Sequence, residues 1–146
     1  MVVTAKTSNK LIRIREFHID YVGHAQAGKR FLREFQNYIP IQSAFWLKEG
    51  DEGEWSLYVA SDHVTDDNFD VHYGEVLRIA GQLRDPLFDP FQVKLIGADN
   101  PLAKAALDIS RRFPSPVANR FRGRVFGGLP VEEVYVYPSP IAVPTA

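Results

Sequence analysis

Side chains suited to binding an anionic partner lie near the carboxyl end of the sequence, in segments with strand-like alternation. Arg120, Arg122 and Arg124 are spaced two residues apart, so they share one face of a strand. A second strand-like segment supplies Tyr135 and Tyr137, with the same spacing. Guanidinium groups bind phosphate in a bidentate fashion, and tyrosine rings stack on bases. These residues are therefore candidates for contact with nucleic acid or with a protein partner.

The turn between the two segments decides which side chains meet across the hairpin. A four-residue turn at residues 127–130 predicts Arg124 opposite Glu133 and Arg120 opposite Tyr137. The opposite face of the hairpin then collects the predicted core residues Phe121, Val125, Val134 and Val136. A purely structural interpretation stays open, because Arg–Tyr and Arg–Glu pairs also satisfy one another across neighbouring strands.

A second group of polar residues follows a predicted strand in the middle of the chain. His63, Asp66, Asp70 and His72 are residue types that bind divalent metals. Their spacing matches no established metal-binding motif, and aspartates at the start of a helix are explained by capping and by the helix dipole. We therefore predict no metal site and no cofactor, and keep these four residues only as candidates for a metal-dependent hydrolase.

No complete catalytic motif is present in the sequence. Asp62 and His63 are adjacent and point to opposite sides of a strand, and no GxSxG sequence supplies a nucleophile. The Gly127-Gly128 pair lacks the following lysine of a phosphate-binding loop and is typical of a turn. The chain has no cysteine, which excludes thiol catalysis, cysteine-based metal sites and disulfides. The absence of cysteine also favours a reducing compartment, the cytoplasm.

Charge is distributed unevenly along the chain. Residues 49–75 hold nine acidic residues and no lysine or arginine, whereas residues 104–124 hold six basic residues and one acid. The net charge of −1 gives the whole chain no obvious character of a polyanion binder. The asymmetry predicts an oriented contact with a partner, unless the two regions neutralise each other across the fold.

Hydrophobic periodicity predicts a mixed α+β fold. The predicted order is a strand over 10–21, a helix over 24–38, strands over 41–48 and 54–61, a helix from about 65 to 83, a strand over 91–96, a helix over 101–113 and a hairpin over 120–137. The first six elements match the ferredoxin-like βαββαβ order, which implies an antiparallel sheet with both helices on one face. A C-terminal helix and β-hairpin would be additions to that core.

Length and composition favour a single α+β domain over residues 1–137, followed by an extended proline-rich tail over residues 138–146. The apolar share of 45% and the charged share of 24% are ordinary for a globular protein. No apolar run approaches the ~18 residues of a membrane span, and no signal peptide or membrane association is expected. We predict one core that contains Trp55, Leu57, Phe69, Tyr73, Val93, Leu95, Leu102 and Ile109.

Three functional hypotheses follow from the sequence. The favoured one is a non-catalytic binding or assembly subunit with a protein partner, because no nucleophile, base and oxyanion donor converge in the pattern. The first alternative is an RNA- or DNA-binding protein that uses the arginines and tyrosines of the C-terminal hairpin. The second alternative is a metal-dependent hydrolase that uses the acidic segment around His63 and His72. The sequence indicates no oligomeric state.

Overall fold

A computed structural model of the chain describes residues 23–48, 54–114 and 118–138. The described helices and strands, in chain order, are α1 (residues 23–38), β1 (Ser43–Lys48), β2 (Trp55–Ser61), α2 (Phe69–Leu83), β3 (Val93–Gly97), α3 (Pro101–Arg112), β4 (Asn119–Phe126) and β5 (Leu129–Val136). A short 3₁₀ helix, Pro90–Gln92, precedes β3. The predicted first strand over 10–21 and the tail from residue 139 lie outside the described residues. None of the helices in the described ranges is long and apolar enough to cross a membrane.

The five described strands form one sheet in the order β3-β2-β1-β5-β4. The mixed α+β class is confirmed, but the ferredoxin-like order is wrong, because β3 lies parallel beside β2. The helix α2 connects these two neighbours, and a crossover helix of this kind brings the second strand back in the direction of the first. The other pairs, β1 with β2, β1 with β5 and β4 with β5, are antiparallel.

Helices cover both faces of the sheet, so the described residues enclose two cores and not the predicted single one. Helices α1 and α2 lie on one face, over Trp46 of β1 and Leu57 of β2. Helix α3 lies on the other face, over Phe45 and Tyr58. Strands β1 and β2 are therefore buried on both sides, which explains why β1 is a continuous apolar run from Ala44 to Leu47.

Most of the predicted core residues are placed as the periodicity indicates, with two corrections. Leu57, Val93 and Leu95 are buried in the first core, where Trp55 and Tyr73 pack against it. Leu102 and Ile109 pack against the second core instead, because α3 crosses to the opposite face. Phe69 is 37% exposed at the start of α2 and is not a core residue.

The helix starts show how local hydrogen bonds override a simple capping rule. Asn100 caps α3, accepting a hydrogen bond from the Leu102 amide at 2.8 Å, and proline occupies the first helical position. Helix α2 starts at Phe69, later than the expected caps at 65–67, and its N-cap residue Asn68 makes no cap bond. The Asn68 side chain instead bridges the preceding loop, accepting from the Thr65 amide and donating to the His63 carbonyl.

A two-residue turn joins β4 to β5, and it corrects the predicted register of the hairpin. Gly127 and Gly128 both have positive φ, as a type I′ turn requires, and Phe126 pairs with Leu129. Strand pairing is interrupted at Gly123, whose φ is +55°. The alternation changes there, so that Phe126 is buried and Val125, predicted to be in the core, is 65% exposed.

We predict that Gly74→Ala stabilises the protein by about 0.5–1 kcal/mol, because glycine in a helix costs that much relative to alanine. Gly74 lies in the middle of α2, and a Cβ atom there has nothing within 4 Å. Chemical denaturation measures the change in the free energy of unfolding. The comparison variant Gly127→Ala should destabilise, since its φ is +59° and its Cβ would lie 2.9 Å from the Pro101 carbonyl oxygen. A loss of stability in Gly74→Ala would contradict the placement of α2.

Candidate functional site

The hairpin presents a face, here called the arginine face, that consists of Arg120, Arg122, Glu133 and Tyr135. In the observed register Arg122 lies opposite Glu133, and Arg120 lies opposite Tyr135. Strand β1 pairs with the other edge of β5, where Lys48 lies opposite Glu133 and Trp46 lies opposite Tyr135. Directly opposed residues of antiparallel strands share one face, so these residues belong to the α1 and α2 side of the sheet.

Glu133 is the anchor of the arginine face. Its side chain is 1% exposed, yet Nε of Arg122 lies 3.3 Å from its Oε1 and a terminal nitrogen of Arg120 lies 3.6 Å from its Oε2. Neither carboxylate oxygen has a hydrogen bond of normal geometry within the described residues. Burial of an ionised carboxylate is costly unless cations compensate it. Glu133 therefore depends on the two arginines for charge compensation. The side chain of Arg120 is 49% exposed and that of Arg122 is 72% exposed.

The two tyrosines predicted for this face have different environments. Tyr135 is partly buried against the first core, and this burial raises the pKa of its hydroxyl, while the nearby Arg120 acts in the opposite direction. Tyr137 is 3% exposed, and its hydroxyl accepts a hydrogen bond from Nε1 of Trp46 at 2.9 Å and donates one to the Ala25 carbonyl. The Tyr137 ring thus serves the packing of α1 on the sheet and offers no surface on which a base could stack.

The third predicted arginine, Arg124, lies opposite a different residue of β5 than the sequence suggested. Its backbone pairs with Val131 and not with Glu133, because the turn has two residues and not four. The role of Glu133 was missed for the same reason, since the assumed register placed Glu133 opposite Arg124 and not opposite Arg122. The signal that could have found it is the Gly127-Gly128 pair, which is typical of a two-residue type I′ turn.

The acidic segment does not assemble its candidate metal ligands. No group of three or more histidine, aspartate or glutamate side chains in the described ranges is arranged to hold a metal ion. His63 lies 3.7 Å from the neighbouring Asp62, whereas Nδ1 of His72 lies 2.7 Å from the Tyr38 hydroxyl on α1. The hydrolase hypothesis that rested on His63 and His72 therefore gains no support from this geometry.

An open cleft of about 790 Å³ lies at the carboxyl ends of the parallel strands β2 and β3. The chain leaves β2 towards α2 on one face and leaves β3 towards α3 on the other, which is the arrangement that opens a crevice between neighbouring parallel strands. Asp62, Asp66 and Asp99 are among its lining residues. Periodicity could not reveal this cleft, because it follows from the parallel pairing and from helices on opposite faces.

The acidic and basic regions of the chain do not neutralise each other through ion pairs in the described ranges. Within the acidic region Glu75 pairs with Arg78, its neighbour on α2. Within the basic region Arg112 pairs with Asp108 along α3, and Arg120 and Arg122 pair with Glu133.

By its architecture the protein is a mixed α+β protein, with helices on both faces of a sheet that holds one parallel strand pair. The chain matches no protein-family model, no curated protein and no solved structure. Its function has to be inferred from the chemistry of its own side chains.

Proposed function

We propose that the protein is a non-catalytic binding or assembly subunit that contacts a protein partner through the arginine face. The observation that carries this proposal is the pair of exposed arginines held by one buried carboxylate, Glu133. A buried anchor limits the rotation of both guanidinium groups, so less side-chain entropy is lost when a partner binds. Arginine side chains that are already ordered are typical of contact surfaces that contribute strongly to affinity.

The location of the arginine face supports the same proposal. Arg120 and Arg122 lie on β4, which is an edge of the described sheet, and both side chains are about half or more exposed. Charged residues on an edge strand discourage pairing with other strands and leave the side chains accessible to a different partner. An acidic surface on that partner would be attracted over a distance of about 10 Å at 0.1 M salt, which orients the encounter.

Affinity capture from extracts of the native host tests the proposal. The bait is the full chain as wild type, as Arg120→Ala/Arg122→Ala and as Lys29→Ala, a control that removes an exposed positive charge on α1. We expect a protein that is captured by the wild type and the control, is lost with the double variant, and resists nuclease treatment. Equal capture by all three baits would contradict the arginine face as the contact surface.

Nucleic-acid binding is a second candidate function of the same face, favoured by the position of Tyr135. This partly buried ring lies directly opposite Arg120 in the hairpin register. A guanidinium group beside an aromatic ring can bind a phosphate while the ring stacks on the adjacent base, as in many single-strand binding proteins. Tyr137 is buried and cannot stack on a base, so Tyr135 is the one of these two tyrosines that could.

For this second function, we predict steep salt dependence in a gel-shift titration with a single-stranded oligonucleotide. Each arginine that contacts a phosphate of the single strand should contribute roughly 0.7 to the slope of log affinity against log salt. Arg122→Ala should reduce the slope by that amount, and Tyr135→Ala should cost about 1–3 kcal/mol of binding free energy if a base stacks there. Lys29→Ala should leave the slope unchanged. Weak binding that is identical for wild type and all variants would exclude the nucleic-acid function.

A further inference from the structure

Strand β3 forms one edge of the described sheet, and no charge protects its outer side. Within residues 23–48, 54–114 and 118–138 its only strand partner is β2, so alternate backbone N–H and C=O groups point away from the sheet. The charged residue of β3 is Lys94, whose ammonium group lies 5.5 Å from the centre of the Tyr58 ring on β2. This position directs the charge back over the sheet, and the backbone groups of the edge stay open to another strand.

Helix α2 carries a row of residues, here called the α2 stripe, along the same edge. Its members share one side of the helix and are Asp70, Tyr73, Leu77, Gly81 and Arg84. The Tyr73 hydroxyl donates a hydrogen bond to the carbonyl of Pro90 in the 3₁₀ helix before β3, so the stripe lies on the β3 side of α2. Its centre is open, because Leu77 is 43% exposed and a Cβ atom at Gly81 has nothing within 4 Å.

The α2 stripe is complementary to a second copy of itself. Its members follow one another in steps of three, four, four and three residues, a spacing that reads the same in both directions. Two antiparallel stripes centred on Leu77 therefore match along their length, with Tyr73 opposite Gly81 and Asp70 opposite Arg84. Asp70 and Arg84 have no ion pair in the part of the chain that the structure describes. Antiparallel pairing would bring these opposite charges together at both ends, which fixes the register of the contact.

We infer that a second copy of this chain binds at this edge, about a two-fold axis through the middle of β3 and α2. Antiparallel pairing of the two β3 strands around Leu95 extends the sheet across the axis. Because α2 connects the parallel strands β2 and β3, it runs antiparallel to β3, and the same axis sets the two α2 helices antiparallel on one face of the extended sheet. The arginine face lies at the opposite edge of the described sheet, so this dimer goes beyond the proposed function and either one can fail alone.

Sedimentation velocity of the full chain, at concentrations from about 1 µM to about 1 mM, tests whether the dimer forms. The interface is small, with a strand of 5 residues at its centre, so we expect a Kd of about 10–100 µM. The chain should shift reversibly from monomer to dimer within this range. Leu77→Asp places two like charges on the axis at an exposed position and should keep the chain monomeric, whereas Gln82→Lys, an exposed change on α2 outside the stripe, should leave the dimer intact. A monomer at every concentration, or an assembly that grows beyond the dimer, would overturn the inference.

A mixture of two charge-reversed variants tests the two-fold arrangement itself. Arg84→Glu alone and Asp70→Lys alone each place like charges at both ends of the interface, so each should dimerise at least about tenfold more weakly than the wild type. In a mixed dimer the new acid of one chain faces the new base of the other, while the native Asp70 faces the native Arg84. The equimolar mixture should therefore sediment as a dimer at concentrations where neither variant does. A mixture that behaves as the average of its two components would overturn the antiparallel pairing.

Amide hydrogen exchange tests the strand contact separately from the helix contact. Backbone amides of β3 should exchange more slowly in the dimeric sample than in the monomeric one, and Leu77→Asp should remove the difference. Exchange in β3 that is the same in monomer and dimer would overturn the pairing of the edges. If the chain stays monomeric, and an extract protein binds the wild type but not Leu77→Asp, the surface belongs to a different partner and the homodimer is overturned.

Discussion

Replacement of Phe31 by alanine is expected to lower the free energy of unfolding by about 3–5 kcal/mol, the usual cost of truncating a buried phenylalanine. Phe31 is 0% exposed on α1, and its ring stacks on Phe35 and Phe88 with centroid distances of 5.3 and 4.7 Å. Truncation would leave a cavity where α1 meets the loop after α2. Chemical denaturation followed by far-UV circular dichroism measures the loss.

A matched control for this prediction is Phe91→Ala, which removes the same side chain from an exposed site. Phe91 is 78% exposed in the 3₁₀ helix before β3, so its truncation should change stability by less than about 0.5 kcal/mol, as is usual for a surface position. Equal losses for the two variants would contradict the assignment of Phe31 to the first core. An unchanged stability in Phe31→Ala would do the same.

Helices and strands could be predicted from the sequence because their periodicity is local. Apolar steps of four residues place Ala27, Phe31 and Phe35 on one face of α1, and all three are buried. Alternation places Val93 and Leu95 on one face of β3, and both are buried as well. A repeat of this kind is set by the geometry of a single element, so no knowledge of its neighbours is needed.

Strand order and sheet faces could not be predicted in the same way. A strand with apolar residues at alternate positions pairs equally well in parallel or antiparallel orientation, so the pattern of β3 did not distinguish a partner in β2 from one elsewhere. Phe45 and Trp46 are neighbours in β1 that are buried on opposite faces of the sheet. The sequence signals this only by a continuous apolar run. The ferredoxin-like prediction therefore failed at the level of pairing, which depends on long-range contacts.

The candidate site was predicted in part, and its errors have two physical sources, the register of the hairpin and the packing of α1 on the sheet. Arg120 and Arg122 share a face as their spacing indicates, since the register error was two residues and an even shift preserves the face. The same shift moved Glu133 from Arg124 to Arg122, and this hid the buried anchor. Tyr137 was grouped with Tyr135 because the two residues alternate along the strand. That alternation does not reveal that α1 packs against Tyr137 at Gly28.

The close approach of α1 to Tyr137 leads to the second large effect, expected for Gly28→Ala. A Cβ atom at Gly28 would lie 2.5 Å from the Tyr137 hydroxyl and 3.1 Å from Nε1 of Trp46. Both partners are buried and hydrogen-bonded to each other, so neither can move without breaking that bond. We expect Gly28→Ala to destabilise the protein by about 1–3 kcal/mol, the cost of overpacking, although alanine is the better helix former.

A double-mutant cycle with Tyr137→Phe tests whether the hydroxyl is the cause. Tyr137→Phe alone should cost about 1–3 kcal/mol, because it leaves the indole N–H of Trp46 buried without its acceptor. In that background Gly28→Ala should cost much less than in the wild type, since the atom nearest to the new methyl group is gone. The loss in the double variant should thus be smaller than the sum of the two single losses. The difference should lie within the range of about 0.5–3 kcal/mol found for residues in contact. Additive losses would show that Gly28 is required for another reason, and that α1 does not rest on the Tyr137 hydroxyl as the structure has it.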